Sequence, residues 1–453
     1  MRAISALGAL ICLTQFAIAD EPPTSTPPAS TPPATSAPVA PSSPAPTIDE
    51  EEIRKAMAAD QAEKQKSAPS YAQPAAPSTT QSAQPSAIGR FIQSLNPDIS
   101  AIADFAGGYY SADSTTVKSG DDPGHTGFTV PEVELAFQAT VDPYFRADIF
   151  LTIPNLGGIE VEEAYLTTRS LPWNFQIKAG IFRAGLGRQN AQHLHLQDFT
   201  RRPALNAALL GIDGLHSPGL EINWLVPRIP FYMLLSASAF TVDPADPNQI
   251  LQTFGGGKRY DFTYVGTVKS FFPLNETTSI YLGLNYAHGK TSQQTTKTSA
   301  LIESTGAVLP TLYDNFYDNL YGADLYLKWK PSNVTRTYAS IAWQTEYFLR
   351  HIPNLILNGK NVVELEGGLY SQLVFQVARR WYLGARGEVM GIPSGDNVHR
   401  EYASAGSVTF AWSEFARVRV YGEARFPQWG PAVNGAAFLQ LEASIGAHGA
   451  HPF

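Results

Sequence analysis

The 453-residue sequence predicts an all-β fold, a transmembrane antiparallel β-barrel of about sixteen strands, behind a secretory signal and a disordered N-terminal extension with one short helix. Three observations carry this. After residue 97 the hydrophobic pattern repeats every two residues, as strands require. The connections between these segments are short and long in alternation. The prolines are lopsided, with 14 of 34 before residue 90, so a proline-rich stretch precedes a folded part.

Met1 and Arg2 open a positive start, and residues 4–18 are mostly apolar. Ala17-Ile18-Ala19 then precedes Asp20, which completes the three-part layout of a signal peptide over 1–19. No later stretch reaches about 18 consecutive apolar residues, so no spanning helix is expected. The only cysteine, Cys12, lies in the signal, behind Ala9-Leu10-Ile11 rather than the small residues that lipid attachment needs. At 16% charged residues the chain is unlike a charge-rich cytosolic enzyme. Removing Arg2 leaves 31 basic residues against 40 acidic, a net charge of −9, which argues against a nucleic-acid partner.

Residues 20–48 are almost only Pro, Ser, Thr and Ala, and such a tether cannot bury enough apolar surface to offset ordering entropy. The run DEEEIRKAMAADQAEKQK at 49–66 places acids first and lysines last, which suits a helix dipole. Ile53, Met57 and Ala58 form a one-turn apolar stripe, so the segment reads as a linker helix or as a coiled coil with a partner. Residues 67–87 return to linker composition, and the barrel is expected over 88–453.

Strands are expected at 99–110, 131–141, 144–153, 158–170, 174–183, 218–226, 231–240, 259–272, 279–288, 319–330, 336–350, 362–377, 381–391, 401–412, 417–426 and 435–446. In the second, Val133, Leu135, Phe137, Ala139 and Val141 alternate with Glu132, Glu134, Ala136, Gln138 and Thr140. Tight turns such as Asp142-Pro143 join one end. Long polar connections at 111–130, 184–217, 241–258, 289–318 and 351–361 gather at the other, the sorting seen in outer-membrane barrels with periplasmic turns and termini.

A lumen of about sixteen strands is too wide for wall side chains alone to fill, so Glu132, Glu134, Arg146, Asp148, Lys178, Glu221, Arg386, Glu388, Arg419, Glu423, Arg425 and Glu442 are expected to face water. The apolar face then meets lipid. Trp173, Trp224, Trp329, Trp381 and Trp412 all lie within about four residues of a turn on the periplasmic side, as an interfacial belt predicts. The last strand alternates Leu439, Leu441, Ala443 and Ile445 with polar residues, and the sequence ends in Phe453. A terminal aromatic resembles the signal read by the barrel assembly machinery, although His448 to Pro452 intervene.

The segments NPDIS (96–100), VDPYFRAD (141–148), VEEAYLTTRSLP (161–172) and KAGIFRAGLGRQNAQHLHLQDF (178–199) resemble those of a Gram-negative outer-membrane barrel family whose members are labelled porins or zinc-regulated TonB-dependent outer-membrane receptors. The resemblance is close over 96–240 and extends beyond it by pattern. It implies an outer-membrane barrel. TonB-dependent receptors have about twenty-two strands and a plug, whereas this pattern has about sixteen strands behind a tether, so the porin side of the family fits, similar in architecture to the phosphate-selective porins.

The connection 184–217 is the expected constriction, because long loops in compact folds tend to be functional. Gly185 and Gly187 break its start, and the apolar stretch 204–210 suits a short helix inside the lumen. Arg183, Arg188, Arg201 and Arg202 would bring positive charge there, opposed by Glu132 and Glu134, with Arg146, Asp148 and Lys178 on the wall. Such a transverse field selects solutes by charge. A second reading has these arginines tie the loop to the wall. His193, His195 and Asp198 form the one constellation that suits a metal such as zinc, with no fixed further ligand.

No G-x-S-x-G and no H-E-x-x-H motif occurs, and His216-Ser217 are adjacent, so they point to opposite faces of a strand; no enzyme is expected. The expected role is passive diffusion of small hydrophilic solutes or ions through the outer membrane. Lipid and the assembly machinery are its partners, it forms a homotrimer, it holds no cofactor unless zinc, and its N-terminal extension lies in the periplasm. The alternatives are an energised zinc-linked receptor and an envelope-anchoring barrel.

Overall fold

A computed structural model describes residues 97–111, 126–155, 157–211, 213–242, 253–255, 260–293, 312–332, 338–357, 360–393, 400–427 and 434–446. The expected signal, tether, helix at 49–66, linker and terminal Phe453 lie outside the described residues.

All the expected strands form. They are β1 (Asp98–Tyr110), β2 (Gly127–Thr140), β3 (Phe145–Pro154), β4 (Glu160–Thr168), β5 (Phe175–Arg183), β6 (His216–Leu225), β7 (Tyr232–Thr241), β8 (Phe262–Pro273), β9 (Thr278–Gln293), β10 (Leu312–Trp329), β11 (Ser340–Leu357), β12 (Lys360–Ala378), β13 (Trp381–Met390), β14 (Glu401–Ala411), β15 (Ala416–Pro427) and β16 (Asn434–Gly446). Each pairs antiparallel with its neighbour in sequence, and β1 closes on β16 from Ser100↔Gly446 to Tyr110↔Ala436. Closure satisfies every edge, which a sheet in lipid must achieve.

The period-two pattern sets the two faces. On β15, Arg419, Tyr421, Glu423 and Arg425 point inward and are buried, while Val420 and Phe426 point outward and are exposed. Leu284, Leu383, Val408 and Leu439 continue the outer apolar surface. A closed sheet with an apolar outside and a charged inside is the arrangement of a barrel that crosses a membrane.

The short turns are built locally. Asp142 Oδ1 accepts the backbone N–H of Tyr144 (2.7 Å) and of Phe145 (2.8 Å), and Asn275 Oδ1 does the same for Thr277 (2.9 Å) and Thr278 (2.8 Å). These side chains satisfy amides that the reversing strands cannot, which is why Asp and Asn recur there. At this rim Trp173, Trp381 and Trp412 are exposed, and Trp381 packs on Phe410 at 4.8 Å.

At the other rim two expected loops are shorter than the pattern implied. Strands β11 and β12 run on as a hairpin until Leu357 pairs Lys360, through the stretch 351–361. Strands β9 and β10 likewise extend to Gln293 and from Leu312, into the stretch 289–318. Beyond the lipid both faces of a strand can meet water, so pairing persists after the hydrophobic alternation has faded.

The lumen also differs from expectation. Instead of standing in water, many inward charges are buried against the connection between β5 and β6, which folds into the barrel. Leu186, Leu205 and Leu209 of that connection pack with Phe182, Phe240, Phe348 and Tyr370 of the wall in one apolar cluster.

Candidate functional site

The connection spans 184–215, because β6 begins at His216 rather than 218. Its neck is closed by Ala184 N–H donating to Leu215 O (2.8 Å). Asn190 braces the neck from within: Nδ2 donates to Ala184 O (2.7 Å) and Leu215 O (3.1 Å), and Oδ1 accepts from Leu215 N–H (2.8 Å). Gly214 sits at φ +80°, where a Cβ would meet Asn190 Oδ1 at 2.4 Å, so only glycine fits. The expected short helix forms as α1 (Ala204–Leu210), after Pro203, and Glu388 Oε2 accepts the Ala204 N–H at 2.7 Å.

From the neck the loop is fastened around the wall. Gly187 N–H donates to Asn285 on β9 (3.1 Å), and Lys269 on β8 donates to Gly187 O (2.9 Å). Glu346 on β11 accepts the N–H groups of Arg188 and Gln189, each at 2.7 Å, and Asn206 Nδ2 at 3.1 Å. Arg201 pairs Glu423 on β15 (2.8 Å), while Arg386 on β13 donates to Arg201 O (2.8 Å). Arg419 donates to Gln197 O (2.8 Å), and Thr200 to Gln440 on β16 (2.9 Å). These anchors lie on strands spread around the barrel, so the loop crosses the lumen.

The opposite anchor is a buried ionic cluster. His193 Nδ1 lies 3.1 Å from Glu162 and 3.3 Å from Glu134, and Nε2 lies 2.8 Å from Glu163. His195 Nδ1 lies 3.2 Å from the same Glu134 oxygen, and Arg183 binds Glu162. Burial works against a charge on His193, but the Glu162 and Glu134 carboxylates outweigh it and hold the imidazolium well above the ordinary histidine range. Two adjacent glutamates can both face inward because β4 carries a bulge: Phe150 pairs Glu163 and Leu151 pairs Val161, leaving Glu162 as the extra residue.

Of the residues singled out from sequence, His193 and His195 meet in this cluster, whereas Asp198 is exposed and stands apart. Arg183, Arg201 and Arg202 are buried, Arg202 donating to Gln192 O at 3.4 Å. Glu132, Glu134 and Asp148 are buried too. Arg188 is half-buried, its guanidinium 4.0 Å from the Tyr326 ring centre. Arg146 and Lys178 stay accessible on the wall, paired to Asp148 (2.8 Å) and Glu221 (3.6 Å). Glu162, Glu163 and Glu346 escaped the sequence reading. The signal for the first two was present, since adjacent acids in a strand would send one charge into lipid unless a bulge intervened.

No family model matches the chain. A protein of Aquifex aeolicus, described as uncharacterized, is 30% identical over 401 residues, 79% of this chain and 80% of its own length. Among solved structures, the outer-membrane channel DcaP of Acinetobacter baumannii is similar at TM-score 0.50 and 11% identity, over 77% of this chain and 97% of its own. An anion-selective porin of Comamonas acidovorans is similar at TM-score 0.48 and 9% identity, over 77% and 99%. The likeness to DcaP agrees with the sixteen-strand closed barrel. The TonB-dependent receptor label finds no support.

Proposed function

We propose that this chain, which belongs to one family with the Aquifex aeolicus protein, is a porin-like channel of a Gram-negative outer membrane. The observation that carries the reading is a loop of the chain's own, fastened to the wall by buried charges, crossing a barrel whose outside is apolar. Buried pairs give such a loop one position, and a fixed constriction is what a size-limited pore needs. The N-terminal extension lies in the periplasm, on the side of the short turns, where β1 begins and β16 ends.

The solutes are small, hydrophilic and preferentially anionic. Next to the loop on the short-turn side stand Arg188 against Tyr326, Lys269 against Gly187 and, nearer the rim, exposed Lys328 on the inward face of β10. A basic strip in a narrow, low-dielectric passage concentrates anions and delays cations.

Planar-bilayer recording of the whole mature chain tests this. Discrete, ohmic steps with a reversal potential displaced toward the anion potential in a salt gradient are expected. A folded barrel that inserts and passes no current overturns the channel reading.

A further inference from the structure

We infer that Glu134, Glu162, His193 and His195 form a binding site for one divalent cation of the zinc class, joining the inward loop to strands β2 and β4. The site goes beyond the channel reading and does not depend on it, because metal uptake is measured without current.

The geometry is that of a ligand set. One ligand atom from each of Glu134, Glu162 and His193 lies within 4.8 Å of the others, and all three residues are buried. His195 Nδ1 faces the same oxygen of Glu134 at 3.2 Å, beside that three-residue set. Imidazole nitrogen and carboxylate oxygen are the ligand types that zinc takes, and His195 stands next to the set as the candidate to complete it. Each lies on an element fixed by other contacts: β2 by pairing with β1 and β3, Glu162 by the bulge, and His193 by its ring against Phe150 at 4.7 Å.

Glu134 is the independent observation that points to a cation. Its side chain is 1% exposed, Oε2 faces the Nδ1 atoms of His193 (3.3 Å) and His195 (3.2 Å), and the buried Oε1 has no hydrogen-bond partner. A buried carboxylate in that state is costly unless a positive charge faces it. The two histidine nitrogens near Oε2 are groups that can give way to a metal.

A nitrogen that coordinates the metal gives up any proton it holds, and that proton leaves to solvent.

The outer partners are already in place. His193 Nε2 lies 2.8 Å from Glu163, the carboxylate contact that fixes the tautomer and orientation of metal-binding imidazoles. Arg183 binds Glu162 and donates its backbone N–H to Glu163 at 2.6 Å, orienting both acids. Ala191, two residues before His193, is exposed.

The test uses the full chain, purified, stripped with a chelator and titrated calorimetrically with zinc chloride, with magnesium chloride as contrast. One equivalent of zinc is expected at micromolar affinity or tighter, with a raised unfolding temperature, and magnesium is expected to bind about 100-fold more weakly or not at all, being a poor match for imidazole. E134Q and H195Q are expected to lose about 100-fold in affinity, and E163Q, which keeps the ligands, about 10–100-fold. D198N is expected to bind like the parent. Circular dichroism identifies folded variants, and H195Q removes a single ligand without touching the three acids. Failure of the folded parent to take up zinc, or E134Q and H195Q binding as tightly as the parent, overturns the site. Silence in the bilayer with stoichiometric zinc uptake would overturn only the channel reading.

Discussion

Arg201 in the loop and Glu423 on β15 form a buried ion pair at 2.8 Å, joining positions 222 residues apart. The pair is lopsided. Glu423 also meets Arg425 at 2.5 Å, Arg386 at 3.6 Å and the Tyr421 hydroxyl, so the acid is shared by several donors. E423Q is therefore expected to destabilise the barrel by about 3–5 kcal/mol, because it leaves several buried cations without their common counter-charge. R201M is expected to cost less, since Glu423 retains the other arginines. Denaturant unfolding of the two variants in one detergent checks the order, and a larger loss in R201M would contradict this account.

Glu346 sets the position of the loop's first bend. Its carboxylate accepts two consecutive backbone N–H groups and the Asn206 amide, and E346Q weakens these charged hydrogen bonds at a cost of about 1.5–3 kcal/mol. The neighbouring Gly187 has φ +65°, and a Cβ there would lie 2.7 Å from Glu346 Oε2. G187A is expected to cost about 1–3 kcal/mol from backbone strain and to displace the same carboxylate. Both variants should raise single-channel conductance and its fluctuation, and because they act on one contact their effects should not add. Unchanged conductance in both would separate this anchor from the pore.

Charge selectivity is expected to follow the strip at Arg188 and Lys328. R188E and K328E should move the reversal potential toward the cation value, with the larger shift for R188E, which lies at the loop itself. A reversal potential that ignores both substitutions would place the selecting charges elsewhere.

The outer surface makes a prediction of its own. Leu284 on β9 is 63% exposed on the outward face, and in a bilayer that surface is lipid. L284R is expected to cost about 2–4 kcal/mol in bilayer-reconstituted protein if the site lies near the midplane. In a soluble barrel an exposed Leu to Arg change would be nearly neutral, so folding titrations into lipid vesicles discriminate the two.

The fold was legible because alternation is a local property. Val420 and Phe426 against Arg419, Tyr421, Glu423 and Arg425 require only that successive side chains of a strand point to opposite faces. Asp142-Pro143 marks a turn by the chemistry of two residues. The extensions of β11 and β12 were not legible, because the pairing of Leu357 with Lys360 lies where no lipid enforces alternation.

The site was legible in part. His193 and His195 stood out as alternate histidines on an extended stretch, and the apolar run 204–210 announced a helix inside the barrel. That their partners are Glu134 on β2 and Glu162 and Glu163 on β4, rather than Asp198, was decided by where the loop lands. Sequence by itself determined the strand number, the order of the strands and the sign of each face, since these follow from hydrophobic period and turn chemistry. Tertiary structure alone decided that the inward charges are buried: only a loop crossing the lumen can carry Arg201 to Glu423 and His193 to Glu134, and these desolvated charges persist there because each of the two pairs brings opposite groups together.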